Sequence, residues 1–305
     1  VNWNTRDLLL ECLASVEKHR GDLRVEVFVV DNASTDGSAD AVETARPDVH
    51  LMRNPRNLGY GAANNRALAQ ARGRIILFLN TDARLTEGAL GGLVSFLDAH
   101  PEAGCACPQL IHEDGSLQNS FDNVPGLLSE LGNKALLRLL WPARYPSKRV
   151  VFPGPVAVEA PIGASLAVKR EVLDRTGGFD ERFFFFLEET DLCLRIRRAG
   201  FGCWFLPAVT VVHGKGKTKA LRPARAWIEY YRSNYAFFRK HRGAAAALVL
   251  RAGKFLRLPV NLALSALGCL LTLGLHGRSR RRLRVSAALL WWHLRLCPPG
   301  GGLRD

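Results

Sequence analysis

Five stretches of this chain end in residues able to do chemistry. In "RIILFLNTDA" (74–83) an apolar run breaks off abruptly into Asn80, Thr81 and Asp82. "FVVDNAS" delivers Asp31 and Asn32 in the same way, and "LMRNPRNLGYGAANN" runs into Asn57, Gly59, Gly61 and Asn64. "AVTVVHGKGKTK" ends at His213, with Lys215 and Lys217 following between glycines. The fifth, "GGFDERFFFFLEETDLCLR", sets Glu188, Glu189 and Asp191 behind four consecutive phenylalanines, Phe183 to Phe186.

Each has a plain alternative and a chemical one. A carboxylate at a strand exit suits a hard divalent cation, Mg²⁺ or Mn²⁺, which takes few protein ligands and leaves the rest to phosphate and water. Asp82 is the candidate metal ligand, although Thr81 or Asp82 could equally cap the next helix. Asp31 and Asn32 could form an Asx turn. His213 sits at a strand exit like Asp82 and is a candidate ligand beside it, with the Gly-Lys run over a phosphate. Acids in a first helical turn are favoured by the macrodipole. Three of them beside an aromatic wall also supply a desolvated carboxylate of raised pKa, which a general base acting on a hydroxyl requires. "GYGAAN" lacks the third glycine of a dinucleotide loop, and Asp31 lies upstream of it instead of downstream, which disfavours a dehydrogenase.

These residues need strands to carry them. "VEVFVV" (25–30), "VHLM" (49–52), "RIILFLN" (74–80) and "GCACPQLI" (104–111) alternate with helical patterns near Ser38–Ala45, Gly61–Ala71 and Thr86–His100. Continuous apolar runs separated by helices are the signature of parallel strands covered on both faces, so the fold class is α/β. "VEAPIGASLAVKREVL" reads as a strand and a helix, "ETDLCLRIRRAG" as an amphipathic helix stopped by Gly200, and the stretch around Pro207 as two short strands ending at His213. Residues 112–155 are irregular and rich in Pro and Gly. Val-Asn-Trp-Asn at the start reads as the end of a strand whose beginning precedes Val1. The seven cysteines are scattered without zinc-site spacing and read as reduced thiols of a cytosolic protein.

Charge is unevenly placed. From Lys215 onward there are 19 basic residues against two acidic, whereas residues 1–214 carry 23 against 26. The arginines flank apolar runs instead of interleaving with stacking aromatics, so a membrane surface fits better than nucleic acid. Leu258 to Leu275 is 18 residues without a charge, with Pro259, Asn261, Gly268 and Gly274 inside it. Basic residues at both ends favour a hairpin or interfacial element over a spanning helix. A helical cap packed on the catalytic domain is the other reading.

Taken in order, "VNWNT", "VVDNASTDGS", "NPRNLGYGAANNRAL", "FLNTD", "PIGASLAVKREVLDRTGGFDERFFFFLEETDLCLR" and "VVHGKGKTK" resemble the family 2 glycosyltransferases, more narrowly the bacterial rhamnosyltransferase-like branch. The likeness runs from Val1 to about His241. It implies a GT-A type fold, a Rossmann-like, mostly parallel sheet flanked by helices, over 1–220; the basic and apolar stretches over 221–305 read, from their composition, as a helical, membrane-associating extension. It implies inverting transfer from a nucleoside-diphosphate sugar, with rhamnose from dTDP-rhamnose or a hexose from a UDP-sugar as donors. The acceptor is a hydroxyl of a cell-envelope or polyprenyl-linked glycan, met at the cytoplasmic face of the membrane. On this likeness Asn4, Asp31 and Asn32 take the nucleobase end, and Asn57, Gly59 and Asn64 the ribose and backbone contacts. Asn80 and Asp82 stand for the Asp-x-Asp metal motif, joined by His213, with Lys215 or Lys217 at the diphosphate. Gly163 and Ala164 fall on the acceptor side. Glu188 and Glu189 match the acidic pair whose second member is the base, here Glu where Asp is expected, and Asp191 is the alternative base. A nucleotidyltransferase and a catalytically silent binding module on a membrane are the competing readings.

Overall fold

The computed structural model describes residues 1–142, 151–214 and 223–304. In chain order the elements are α1 (Arg6–His19), β1 (Phe28–Asp31), α2 (Ser38–Ala45), β2 (His50–Arg53), α3 (Tyr60–Leu68), β3 (Ile75–Leu79), β4 (Ala83–Leu85) and α4 (Ala89–Ala99). Then follow β5 (Ala103–Ile111), β6 (Phe121–Asp122), α5 (Leu127–Leu131), α6 (Lys134–Leu140), β7 (Val156–Val158), β8 (Ala160–Pro161), β9 (Ser165–Lys169) and α7 (Arg170–Thr176). The chain closes with α8 (Glu188–Arg198), β10 (Gly202–His213), α9 (Pro223–His241), α10 (Gly243–Leu271) and α11 (Gly277–Leu294). Two compact units result, one of Val1–Val124, Pro142–Glu181 and Glu188–Lys215, the other of Pro125–Trp141, Arg182–Leu187 and Gly216–Asp305.

The first unit is α/β. Its main sheet runs β3-β9-β5-β10-β4, with β7 also on β10. β5 and β10 are parallel and β1 pairs with β2 in parallel, while β9, β7 and β4 join antiparallel. β5 is buried through all but its last residue, which is why its sequence reads as one apolar run and not as an alternation. The expected pair of strands around Pro207 is one strand, β10, whose register slips between Leu206 and Thr210. Proline cannot donate to a ladder, so it sits in the irregularity. The helix expected from Thr86 begins at Ala89, because 83–85 is spent on β4. Between β1 and β3 lies a cavity of about 460 Å³ walled by Leu9, Leu13, Val27, Val29 and Leu77. The strand expected at Val1–Asn4 is represented by one parallel bridge, Asn2 to Asp31.

The second unit is helical and draws in two segments from earlier in the chain. Lys254 lies 2.9 Å from the Glu130 carboxylate, over the rings of Tyr230 and Tyr231, and Asn234 donates to the same carboxylate at 2.9 Å. This buried cluster ties α5 to α9 and α10. The four phenylalanines belong here as well. Phe183 packs on Phe237, Ser233 donates to the Phe185 carbonyl at 2.9 Å, and Phe186 and Leu187 take left-handed φ of 71° and 68°. The expected aromatic wall is thus core and anchor for α9.

Candidate active site

The loop after β1 is braced from both sides. Asp31 accepts from the Asn2 amide and the Ser34 backbone, each at 3.0 Å, and Asn4 accepts from the Thr35 backbone at 2.7 Å. Asn4 holds φ 55°, a conformation asparagine tolerates better than most residues. Asn32, expected at the nucleobase, is buried with its whole amide engaged. It accepts from Asn54 and the Leu58 backbone and donates to Asn57 and the Gly59 carbonyl, at 2.8 to 3.1 Å. These bonds brace the loop together with Asn57, which also accepts from the Gly59 backbone at 2.9 Å. Gly59 turns the chain into α3 at φ 87°, which a side chain would resist. Asn64 donates to the Tyr60 carbonyl one turn back, at 2.9 Å.

A relay joins this loop to the "NTD" exit. The Thr5 hydroxyl donates to Asn2 at 2.7 Å and lies 2.9 Å from the Thr81 hydroxyl. The Asn80 backbone donates to the Ala164 carbonyl at 3.0 Å. Ala164 itself is core, 1% exposed, and reaches the site through this carbonyl.

The pairing of β4 with β10 sets His213 opposite Ala83, and the Gly214 backbone donates to the Asp82 carbonyl at 2.7 Å. Asp82 Oδ1 and His213 Nε2 consequently stand 3.4 Å apart. His213 Nδ1 lies 3.1 Å from Gln118 Oε1, an oxygen that can only accept, so the proton sits on Nδ1 and Nε2 faces Asp82. Gln118 is fixed in turn by donating to the His213 carbonyl at 2.5 Å. One carboxylate oxygen and one oriented imidazole nitrogen fit a divalent cation that completes its shell with phosphate and water. Lys215 and Lys217 lie outside the described residues. Gln118 has no signal of its own in the sequence, since it arrives from the irregular 112–120 stretch.

The carboxylates open α8. Glu189 is half-buried, and burial pushes its carboxyl up to about 7, with a further push from the Asp122 charge. Gly163 faces it so closely that a Cβ there would meet the Glu189 Cβ at 3.3 Å. Tyr60 donates to the Gly163 carbonyl at 3.2 Å. Burial raises the Tyr60 hydroxyl above its usual range, and the charges of Glu188, Glu189 and Asp82 raise it further. The phenol therefore stands where the base and the metal-site carboxylate are both felt, and sequence reasoning missed it. Glu188 is buried, 5% exposed. Asp191, the alternative base, is engaged elsewhere in α8. Its fully buried carboxylate is paired with Arg195 at 2.8 Å, and Arg195 also donates to the carbonyls of Thr176 and Gly178. It holds α8 to the end of α7.

Such a site can polarise a diphosphate at one end and take a proton from a hydroxyl at the other. The sequence profile of glycosyl transferase family 2 matches residues 1–176. An N-acetylglucosaminyl-diphospho-decaprenol L-rhamnosyltransferase of Mycobacterium tuberculosis is 31% identical over 229 residues, covering 70% of this chain and 74% of its own. Among solved structures, a mannosyltransferase of Pyrobaculum calidifontis in complex with GDP-Man and Mn²⁺ superposes with a TM-score of 0.55 at 22% identity, over 96% of this chain and 84% of that one. TarS of S. aureus superposes with a TM-score of 0.52 at 19% identity, over 77% of this chain and 38% of that one. The chain belongs to glycosyl transferase family 2, with a GT-A type α/β fold, and is a glycosyltransferase.

Proposed function

We propose that this glycosyltransferase moves a sugar, by one inverting displacement, from a nucleoside-diphosphate donor to a hydroxyl of a lipid-linked cell-envelope glycan. A rhamnosyl donor and a polyprenyl-diphosphate acceptor are favoured by the relative's name. The acceptor is met at the cytoplasmic face of the membrane. The observation that carries the reading is Glu189, a carboxylate of raised pKa beside Gly163, within one unit that also holds the Asp82–His213 pair.

Glu189 takes the proton of the acceptor hydroxyl as its oxygen attacks the anomeric carbon. The new carbon–oxygen bond forms opposite the breaking one, and the electron pair leaves with the diphosphate, so configuration inverts and no covalent enzyme intermediate arises. Asp82 and His213 would hold Mg²⁺ or Mn²⁺, which supplies charge stabilisation to the departing diphosphate when bound. Asp31 and the braced loop through Asn57 and Gly59 line the nucleotide side, and Gly163 keeps the acceptor side open to Glu189. Tyr60 holds the Gly163 carbonyl and stays protonated.

The test is Glu189→Gln. Transfer falls by about 10²- to 10⁴-fold, the usual contribution of a general base, while dTDP or UDP still binds with Mn²⁺ in calorimetry. Undiminished transfer by the variant would place the base elsewhere, and a chain that binds no nucleotide with or without metal would remove the donor crevice.

A further inference from the structure

α10 is the one helix among the described residues long and apolar enough to cross a membrane by length and composition. Its packing against α11 decides how it can meet one. A Cβ at Gly268 would lie 3.2 Å from the Ser279 hydroxyl, and Leu258 packs with Leu289 in one cluster. Both contacts give the same antiparallel register, and it sets the exposed Arg278, Arg280, Arg281, Arg282 and Arg284 level with residues 263–269 of α10. That level is the middle of the charge-free run of α10. Were α10 to span, five guanidinium groups would lie at hydrocarbon depth.

The other face of α10 is bare and apolar. Leu256, Val260, Leu264, Leu267 and Leu271 recur at helical spacing, each 51% to 77% exposed, and continue into Leu273 and Leu275 at the turn. Trp291 and Leu294 are exposed on α11, at 63% and 58%. An apolar stripe with a row of arginines beside it is the pattern of a helix lying in a bilayer interface, where leucines enter the acyl boundary and arginines meet headgroup phosphates.

We infer that the α10–α11 hairpin is a monotopic docking surface for an anionic phospholipid bilayer, lying along the interface of one leaflet without crossing. The five arginines choose the occupant, because a neutral apolar partner offers nothing to them, whereas an anionic surface satisfies them and the leucines together. The inference deepens the proposed acceptor class and rests on that reading for its purpose only.

Flotation of the full chain with phosphatidylcholine vesicles, with and without phosphatidylglycerol, tests it in the absence of nucleotide. Binding should require phosphatidylglycerol, weaken with salt and be reversed by an alkaline carbonate wash. Arg280→Gln with Arg282→Gln should weaken it by roughly 30-fold, from the usual worth of a basic residue near an anionic surface. Leu264→Glu with Leu271→Glu should abolish it, with the fold checked by circular dichroism. Retention through the carbonate wash would make α10 a spanning helix and overturn the proposal. So would equal binding to neutral vesicles, or a stable dimer that the leucine variant dissolves while vesicles go unbound. Calorimetric nucleotide binding by the same preparation separates a failed hairpin from a failed donor crevice.

Discussion

Glu189 makes the sharpest prediction at the scale of single residues. Only the carboxylate can accept a proton, so transfer should decline as pH falls through about 7, where burial has placed this group. An unperturbed glutamate would hold the rate level down to about pH 4.3. The pH profile of kcat/KM should therefore show an acid limb near 7, and a limb near the ordinary glutamate value would refute the assignment. The sign for stability is opposite. A carboxyl raised in the fold is fully compatible with folding while protonated, and its burial costs stability as pH climbs from about 4.5 through about 7. Glu189→Gln should flatten that slope in urea titrations even as it cuts turnover. Gln118 acts through another residue, holding the His213 ring with Nε2 toward Asp82. Gln118→Leu should weaken Mn²⁺ binding by about 10- to 100-fold, the usual effect of removing such a partner. Calorimetry with Mn²⁺ reads this directly, and unchanged affinity would mean that His213 needs no orientation.

Elements decide what those side chains can do, and α8 is the clearest case. Leu192, Cys193 and Ile196 bury one face, while Asp191 and Arg195 clamp the helix to the carbonyls that end α7. Removing one partner of a buried pair costs about 3–5 kcal/mol. Asp191→Asn should therefore lower the unfolding free energy read from urea titration by an amount in that range and leave the acid limb near 7 in place. Loss of the limb would return Asp191 to the chemistry. Gly163→Val should lower kcat with little change in nucleotide affinity, because its branches must push the Glu189 stem aside. Strand exits were legible in the sequence, since a doubly buried strand reads as an apolar run and its end as a polar break: Asp31, Asp82 and His213 all lie where that pattern put them. The strand pairing that brings His213 to Asp82 was not. β4 is three residues long, and its pairing with β10 joins positions more than a hundred residues apart, which no local periodicity encodes. The same holds for Cys105, Cys193 and Cys203, scattered in sequence yet with sulfurs within 4.8 Å of one another in the core. Asn32 shows the converse limit, as its residue type announces hydrogen bonding without saying whether ligand or loop receives it.

At the scale of the whole molecule, charge and apolar surface are concentrated where the α/β chemistry is not. The last 91 residues hold 19 of the 42 basic side chains. Five arginines at hydrocarbon depth would cost about 2.5–3.5 kcal/mol apiece on insertion scales, a sum larger than the whole stability of many domains. At an interface the same charges contribute favourably, about 1 kcal/mol each near an anionic surface. That change of sign is the physical ground for reading the hairpin as lying on a leaflet. It also predicts how turnover should depend on the phase that holds the acceptor. An enzyme docked on a surface meets a membrane-borne substrate at a raised effective concentration, with no new contact at the catalytic groups. Leu264→Glu with Leu271→Glu should then raise the apparent KM for an acceptor carried in anionic vesicles and leave kcat and KM unchanged for a short-chain, water-soluble analogue of it. Equal losses on both acceptors would show that the leucines support the fold of the catalytic unit, and equal retention on both would show that docking does not serve catalysis.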